Sequence, residues 1–151
     1  MKKWLLAGAL IISLNSLSQT CEQRELKLLE TIGGLSAATL YNTYGVIGAV
    51  ADGYSKGAYE SSTVEQLMSA QQTLAGNLVG VLDSMLKNNI FIAGSDRDFI
   101  SGSVNILKAL KEEAVLLTEY ARTNSSRKQE AYEEKRKQNW SAISKLMGIK
   151  E

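Results

Sequence analysis

The stretch STVEQLMSAQQTLAGNLVGVLDSM, residues 62–85, decides the fold of this chain. Its apolar residues return at alternating steps of four and three, which is the spacing of one face of an α-helix. That face consists of Val64, Met68, Gln71, Ala75, Leu78, Leu82 and Met85. Ser62 and Glu65 have the spacing of a capping box, in which each side chain accepts a hydrogen bond from an unpaired backbone N–H. We therefore predict an amphipathic helix that begins at Ser62 and stops at Asn88-Asn89.

A second segment repeats this spacing after a short connection. Its apolar face consists of Ile100, Ser103, Leu107, Leu110, Ala114, Leu117 and Ala121. Ser95 and Asp96 would supply a cap and a negative charge at the helix start, where the helix dipole favours them. Two helices of similar length joined by a few residues pack as an antiparallel hairpin. These two segments therefore form the predicted centre of the fold.

Two flanking segments carry weaker helical patterns. The segment 22–54 has the same spacing but smaller and more polar residues, and Gly33-Gly34 would allow it to break, since each glycine weakens a helix by roughly 1 kcal/mol. The segment 126–147 is nearly polar in its first half, which can bury little, and regains an apolar edge in its second. We predict an all-α fold, an antiparallel up-down-up-down bundle of four helices near 22–54, 62–88, 96–123 and 126–147. If the first helix were broken, the fold would have five helices.

Residues 1–18 have the three parts of an export signal: two lysines, an apolar run and a small-residue end. The apolar run from Trp4 to Leu14 is shorter than the roughly 20 residues that cross a membrane, so we do not expect it to anchor the chain. We expect no membrane span in the mature chain either, because its uncharged residues 31–51 include several polar side chains. Cleavage after Ser18 would leave residues 19–151 as a single helical-bundle domain. The short signal with paired lysines favours a bacterial protein in the periplasm or outside the cell.

The single cysteine, Cys21, permits two other outcomes near the mature terminus. Lipid attachment at Cys21 is the weaker alternative to simple cleavage, because the preceding Ser18-Gln19-Thr20 matches the usual apolar-then-small pattern poorly. A Cys21 without lipid would be available for an intermolecular disulfide after export.

The composition excludes several classes of function. Removing the signal takes away two lysines and leaves 15 basic and 16 acidic residues, a net charge of −1, which argues against nucleic-acid binding. The chain has no histidine, so it cannot form a Ser-His-Asp site or a Glu-x-x-His metal pair. Paired carboxylates such as Glu112-Glu113 remain weak metal candidates. We expect no enzymatic activity, no catalytic residue, no cofactor and no metal.

A repeat of mostly small side chains runs through the first mature helix. Positions four apart form a ridge on a helix, and small residues there let another backbone approach closely. The ridge consists of Gly33, Ala37, Tyr41, Gly45, Ala49, Gly53 and Gly57. Packing inside the bundle is the favoured interpretation and self-association the second. Membrane insertion is the third, because the uncharged residues 31–51 include several polar side chains.

Two functions follow as expectations. The first is an exported, non-enzymatic protein of the cell envelope that acts by binding another protein or by self-association. The alternative is a carrier of a small apolar or amphipathic ligand between the helices, because the small side chains of the first helix would leave room inside. Asn42, Gln71 and Asn77 are candidates for a polar layer in the bundle, although such groups more often fix helix register or lie at the rim of the bundle than bind a ligand.

Overall fold

A computed structural model describes residues 3–90 and 93–149 of the chain, with side chains from residue 23 onward. The chain is 90% helical, and the described residues contain no strand. The four helices are α1 (Lys3–Ser55), α2 (Ser61–Lys87), α3 (Gly94–Thr123) and α4 (Ser126–Met147). The predicted all-α, four-helix fold is confirmed. The chain divides into two compact units, Met1–Gly34 and Leu35–Glu151, and the packing below concerns the second.

Helix α1 is longer than predicted and is not interrupted at Gly33-Gly34. The alternative of a broken first helix, which would give five helices, is therefore not found, because the two glycines lower helix propensity without breaking the backbone hydrogen bonds. Residues 1 and 2 of the predicted signal and the Cys21 side chain lie outside the description. Cleavage after Ser18 and the fate of Cys21 stay predictions.

The predicted apolar faces of α2 and α3 form the core. All seven predicted residues of α3 are buried. On α2, four of the seven are buried and the other three are half-buried. Helix α1 contributes a buried row that consists of Leu40, Thr43, Ile47, Val50 and Ala51. Helical periodicity therefore identified correctly which sides of the central helices are removed from water.

The direction of α4 follows from two ion pairs with α3. Lys128 near the start of α4 pairs with Glu119 near the end of α3, and Lys135 pairs with Glu112 one to two turns further along. The two helices therefore run antiparallel, and the short connection between Thr123 and Ser126 requires the same direction.

The predicted starts of α2 and α3 are wrong by one or two residues, whereas α4 starts at the predicted residue and the predicted stops agree within one residue. Glu60 already accepts the first helical hydrogen bonds through its carbonyl oxygen, so α2 starts at Ser61 and Ser62 lies inside its first turn. Similarly, α3 begins at Gly94 after Ala93, with no side-chain cap. Asn88 ends α2, as the Asn88-Asn89 pair predicted.

No helix within residues 3–90 and 93–149 combines the length and the apolarity that a membrane crossing requires.

Candidate functional site

The predicted ridge on α1 lies mainly on the exposed side of the helix. Tyr41 is 56% exposed, and Gly45 and Ala49 are exposed beside it. A Cβ atom added to Gly45 would meet no described atom within 4 Å. The favoured interpretation, packing inside the bundle, therefore does not hold at Gly45 and Ala49, and Tyr41 is only partly covered. We call Tyr41, Gly45 and Ala49 the α1 contact face.

The last two members of the ridge have local explanations. A Cβ atom on Gly53 would lie 2.4 Å from a ring carbon of Tyr59, so any larger residue here would displace the ring that folds back onto α1. Gly57 has a φ of 71°, the left-handed conformation that ends many helices and that glycine adopts without strain. Both residues serve the turn between α1 and α2. Of the first two members, Ala37 is half-buried, and Gly33, in the first unit, is also half-buried.

Gly48, which the ridge does not include, provides a close contact between α1 and α4. A Cβ atom at Gly48 would lie 2.9 Å from Nη2 of Arg136, so the guanidinium group lies across bare backbone. The same guanidinium carbon is 6.0 Å from the centre of the Tyr44 ring, within cation–π range. Its Nη1 is 3.9 Å from Oδ1 of Asp52. Arg136 thus joins the two helices through three residues of α1.

Two aromatic contacts border the α1 contact face. Trp140 of α4 stacks on Tyr44 with ring centres 5.4 Å apart and planes 30° apart. Tyr41 contacts the same indole at 6.3 Å with a tilt of 60°. Trp140 is only half-buried, so its ring reaches the surface next to Tyr41. The exposed side of α1 therefore continues into an aromatic edge supplied by α4.

Between Leu35 and Ala51 the exposed side of α1 also lacks charge. No charged residue occurs from Leu35 to Ala51. The exposed positions in this range are Leu35, Ala38, Tyr41, Asn42, Gly45 and Ala49. The exposed side of α4 differs, because it carries Arg127, Glu130, Glu134, Lys137 and Lys145. Depletion of charge is typical of the buried centre of a protein–protein interface.

A buried polar cluster lies beneath this surface, between α3 and α4. Glu113 is 0% exposed, and its Oε2 accepts a hydrogen bond of 2.7 Å from Nδ2 of Asn139. Asn139 is itself buried, and Nδ2 also donates to the carbonyl oxygen of Ala109 at 3.1 Å. Neither Oε1 of Glu113 nor the buried hydroxyl of Tyr132 has a hydrogen-bond partner among the described residues. Burial raises the pKa of Glu113 to about 7, although the Asn139 hydrogen bond acts in the opposite direction.

The Glu113–Asn139 contact is not among the interactions that the sequence predicts. From the sequence, Glu113 is only a weak metal candidate. Of the three candidates for a polar layer, Asn42 and Asn77 are exposed and only Gln71 is partly buried, so they lie at the rim rather than inside the bundle. The sequence does indicate that Glu113 is buried, since it follows Leu110 by three residues and precedes Leu117 by four, on the apolar side of α3. A carboxylate on such a side predicts a buried polar contact.

Within the part of the chain that the structure describes, no three carboxylate or thiol side chains are grouped so that they could hold a metal ion. The fold and these surfaces define a helical-bundle protein with an uncharged exposed helix face and a buried carboxyl group. No family model, curated protein or solved structure matches this chain.

Proposed function

We propose that this chain acts by binding protein, and that the partner is a second copy of itself docked on the α1 contact face. One observation carries the proposal: the exposed positions between Leu35 and Ala51 have no charge, and Gly45 at their centre leaves the backbone open. A helix that only faces water normally keeps charged and polar residues on that side. A glycine in the middle of a helix costs roughly 1 kcal/mol relative to alanine, and nothing described within the chain explains it at Gly45.

A second copy is the partner that this chemistry fits best. In a two-fold dimer the same patch lies on both sides of the interface, so a charge near the axis would face a like charge. The α1 contact face avoids that repulsion because it has no charge. Gly45 and Ala49 would let the two helices approach closely. Tyr41 and Trp140 are of the residue types that contribute most binding energy at interfaces.

The test is the oligomeric state of the full chain and of Gly45→Glu, measured by sedimentation velocity and light scattering over a wide concentration range. We expect the wild-type chain to form dimers as its concentration rises. The substitution places a carboxylate where each copy would meet the other, so the dissociation constant should rise by about tenfold or more. The fold should remain intact, because a Cβ atom at Gly45 meets no described atom within 4 Å.

Gly80→Glu is the matched control. Gly80 lies on the exposed side of α2, and a Cβ atom there also meets no described atom within 4 Å. Both substitutions replace a helical glycine by a better helix former and add the same charge. Gly80→Glu should therefore leave the dissociation constant within about twofold of the wild-type value. A wild-type chain that stays monomeric, or an equal effect of both substitutions, contradicts the proposal.

We further propose that the protein is exported, non-enzymatic and located in the bacterial envelope or outside the cell. The support is the three-part pattern of residues 1–18, together with the absence of histidine from the chain. The intact mass of the protein isolated from its own host provides the test. A mass that begins at Gln19 supports the proposal, whereas an uncleaved chain contradicts it. A lipid-sized increment on Cys21 would show that lipid anchors the exported chain.

A further inference from the structure

Glu113 lies on the buried side of α3, among residues that are mostly apolar. It is 0% exposed, between Leu110 and Leu117, which are both fully buried. A carboxylate in such surroundings needs several hydrogen-bond donors or a paired cation to remain charged. Only Oε2 has a donor, from Asn139, and Oε1 has no partner among the described residues. The surroundings therefore suit the neutral carboxylic acid better than the anion.

Asn139 connects α4 to α3 at the same point. Its Nδ2 donates to Glu113 and to the carbonyl oxygen of Ala109, so one amide group contacts two residues of α3. The next residue, Trp140, stacks on Tyr44 of α1. A displacement of α4 at Asn139 would therefore also separate the Trp140 and Tyr44 rings.

The charged groups that face Glu113 come mainly from α4. They are Arg136 and Lys135, which are cationic, and Glu133, which is anionic. Lys135 is paired with Glu112, and Arg136 lies against Gly48 and Asp52 of α1, so in the described chain neither cation forms an ion pair with Glu113. The phenol groups nearby are Tyr132 of α4, which interacts with Glu113 and Arg136, and Tyr44 of α1, which interacts with Arg136.

We propose that Glu113 and Asn139 form a proton-operated latch that holds α4 against α3. With the proton on Glu113, the interior contains no unpaired charge and the Asn139 hydrogen bonds hold α4 in place. Loss of the proton to solvent leaves an unpaired anion in the interior, and α4 loosens around Asn139 so that water reaches the carboxylate. The burial of Glu113 raises its pKa to about 7, so this change falls near neutral pH.

The latch is tested with Trp140 fluorescence in the full-length Trp4→Phe chain, in which Trp140 is the only tryptophan. As the pH rises from about 5.5 to 8.5, we expect the emission to shift to longer wavelength and acrylamide quenching to increase by about twofold, with a midpoint near 7. Glu113→Gln keeps an oxygen that can accept from Asn139 and cannot ionise, so it should abolish the response. The matched control is Glu130→Gln, which removes an exposed carboxylate of α4 away from the Glu113–Asn139 contact and should retain the response.

Amide hydrogen exchange of the otherwise unaltered chain gives a second readout that needs no substitution. After correction for the intrinsic effect of pH, protection of the α4 amides around Asn139 should fall by about tenfold between pH 6 and 8.5, and protection in the middle of α2 should change much less. Unchanged α4 protection overturns the latch, as does a fluorescence response that persists in Glu113→Gln. A response that grows with protein concentration reports association of chains and also counts against it. The latch is therefore tested independently of the proposed dimer.

Discussion

Helices α2 and α4 both pack against α3, but the side chains that they bury differ in polarity. The buried residues of α2 are Val64, Met68, Ala75 and Leu82, and all four are apolar. The buried residues of α4 are Tyr132, Asn139, Ile143 and Ser144, of which only Ile143 lacks a polar atom. Apolar contact is non-directional and tolerates small shifts. A buried polar contact is favourable only when donor and acceptor meet, and of the three buried polar side chains of α4 only Asn139 has a hydrogen-bond partner among the described residues.

The largest change in the free energy of unfolding should appear when the apolar contact between α2 and α3 is reduced. Met68 is 0% exposed, and Met68→Ala should lower the free energy of unfolding by about 2 to 5 kcal/mol, through lost burial and the remaining cavity. The loss should be the same at about pH 5 and pH 8, because no ionisable group takes part. Urea unfolding at both pH values measures it. Leu74→Ala, at a position of α2 that is 42% exposed, should cost far less, and similar losses at the two positions would mean that α2 does not bury one face.

The second prediction concerns how the free energy of unfolding depends on pH through Glu113, which lies between α3 and α4. The pKa of Glu113 is about 7 in the folded chain and near the ordinary value of 4.5 when unfolded, so the folded state binds more protons between these values. The free energy of unfolding should therefore fall as the pH rises from 4.5 to about 7, by roughly 3 kcal/mol at most, and then level off. In Glu113→Gln this contribution should vanish, so the substitution should stabilise the chain at pH 8 relative to wild type. Urea unfolding over this pH range measures both curves, and parallel curves for the two chains would contradict the assignment.

The same contrast explains what the sequence could predict. The apolar faces of α2 and α3 were predictable because their spacing is a local property of the chain. The Glu113–Asn139 hydrogen bond joins residues 26 positions apart, so no local pattern connects them. The close contact at Gly48 could not be predicted either, because it depends on the guanidinium group of Arg136, which comes from α4. The first half of α4 was expected to bury little, yet Tyr132 is 1% exposed.

The ridge on α1 shows a second kind of limit. One spacing pattern combined residues that have different roles in the structure, since Gly53 and Gly57 serve a turn and Gly45 lies open on the surface. Periodicity identifies which residues share a side of a helix, but it does not say whether that side faces the same chain, another chain or water.

The smallest expected effect comes from the buried hydroxyl of Tyr132, which has no hydrogen-bond partner among the described residues. Its burial without a partner costs free energy, and burial also raises the pKa of Tyr132, so the hydroxyl stays neutral. Tyr132→Phe removes the hydroxyl and keeps the ring. The free energy of unfolding should therefore stay unchanged or rise by up to about 1 kcal/mol.

Tyr54→Phe is the matched control for this substitution. The hydroxyl of Tyr54 donates to the carbonyl oxygen of Ala121 at 3.0 Å, and its ring packs edge-on against Tyr120. Loss of that hydrogen bond should cost about 1 kcal/mol, so the two Tyr→Phe substitutions should change stability in opposite directions or differ clearly in size. Urea unfolding of both variants at pH 6, where Glu113 is mainly neutral, measures the difference. A loss of 1 kcal/mol or more in Tyr132→Phe would mean that this hydroxyl has a partner in solution, such as a buried water shared with Oε1 of Glu113.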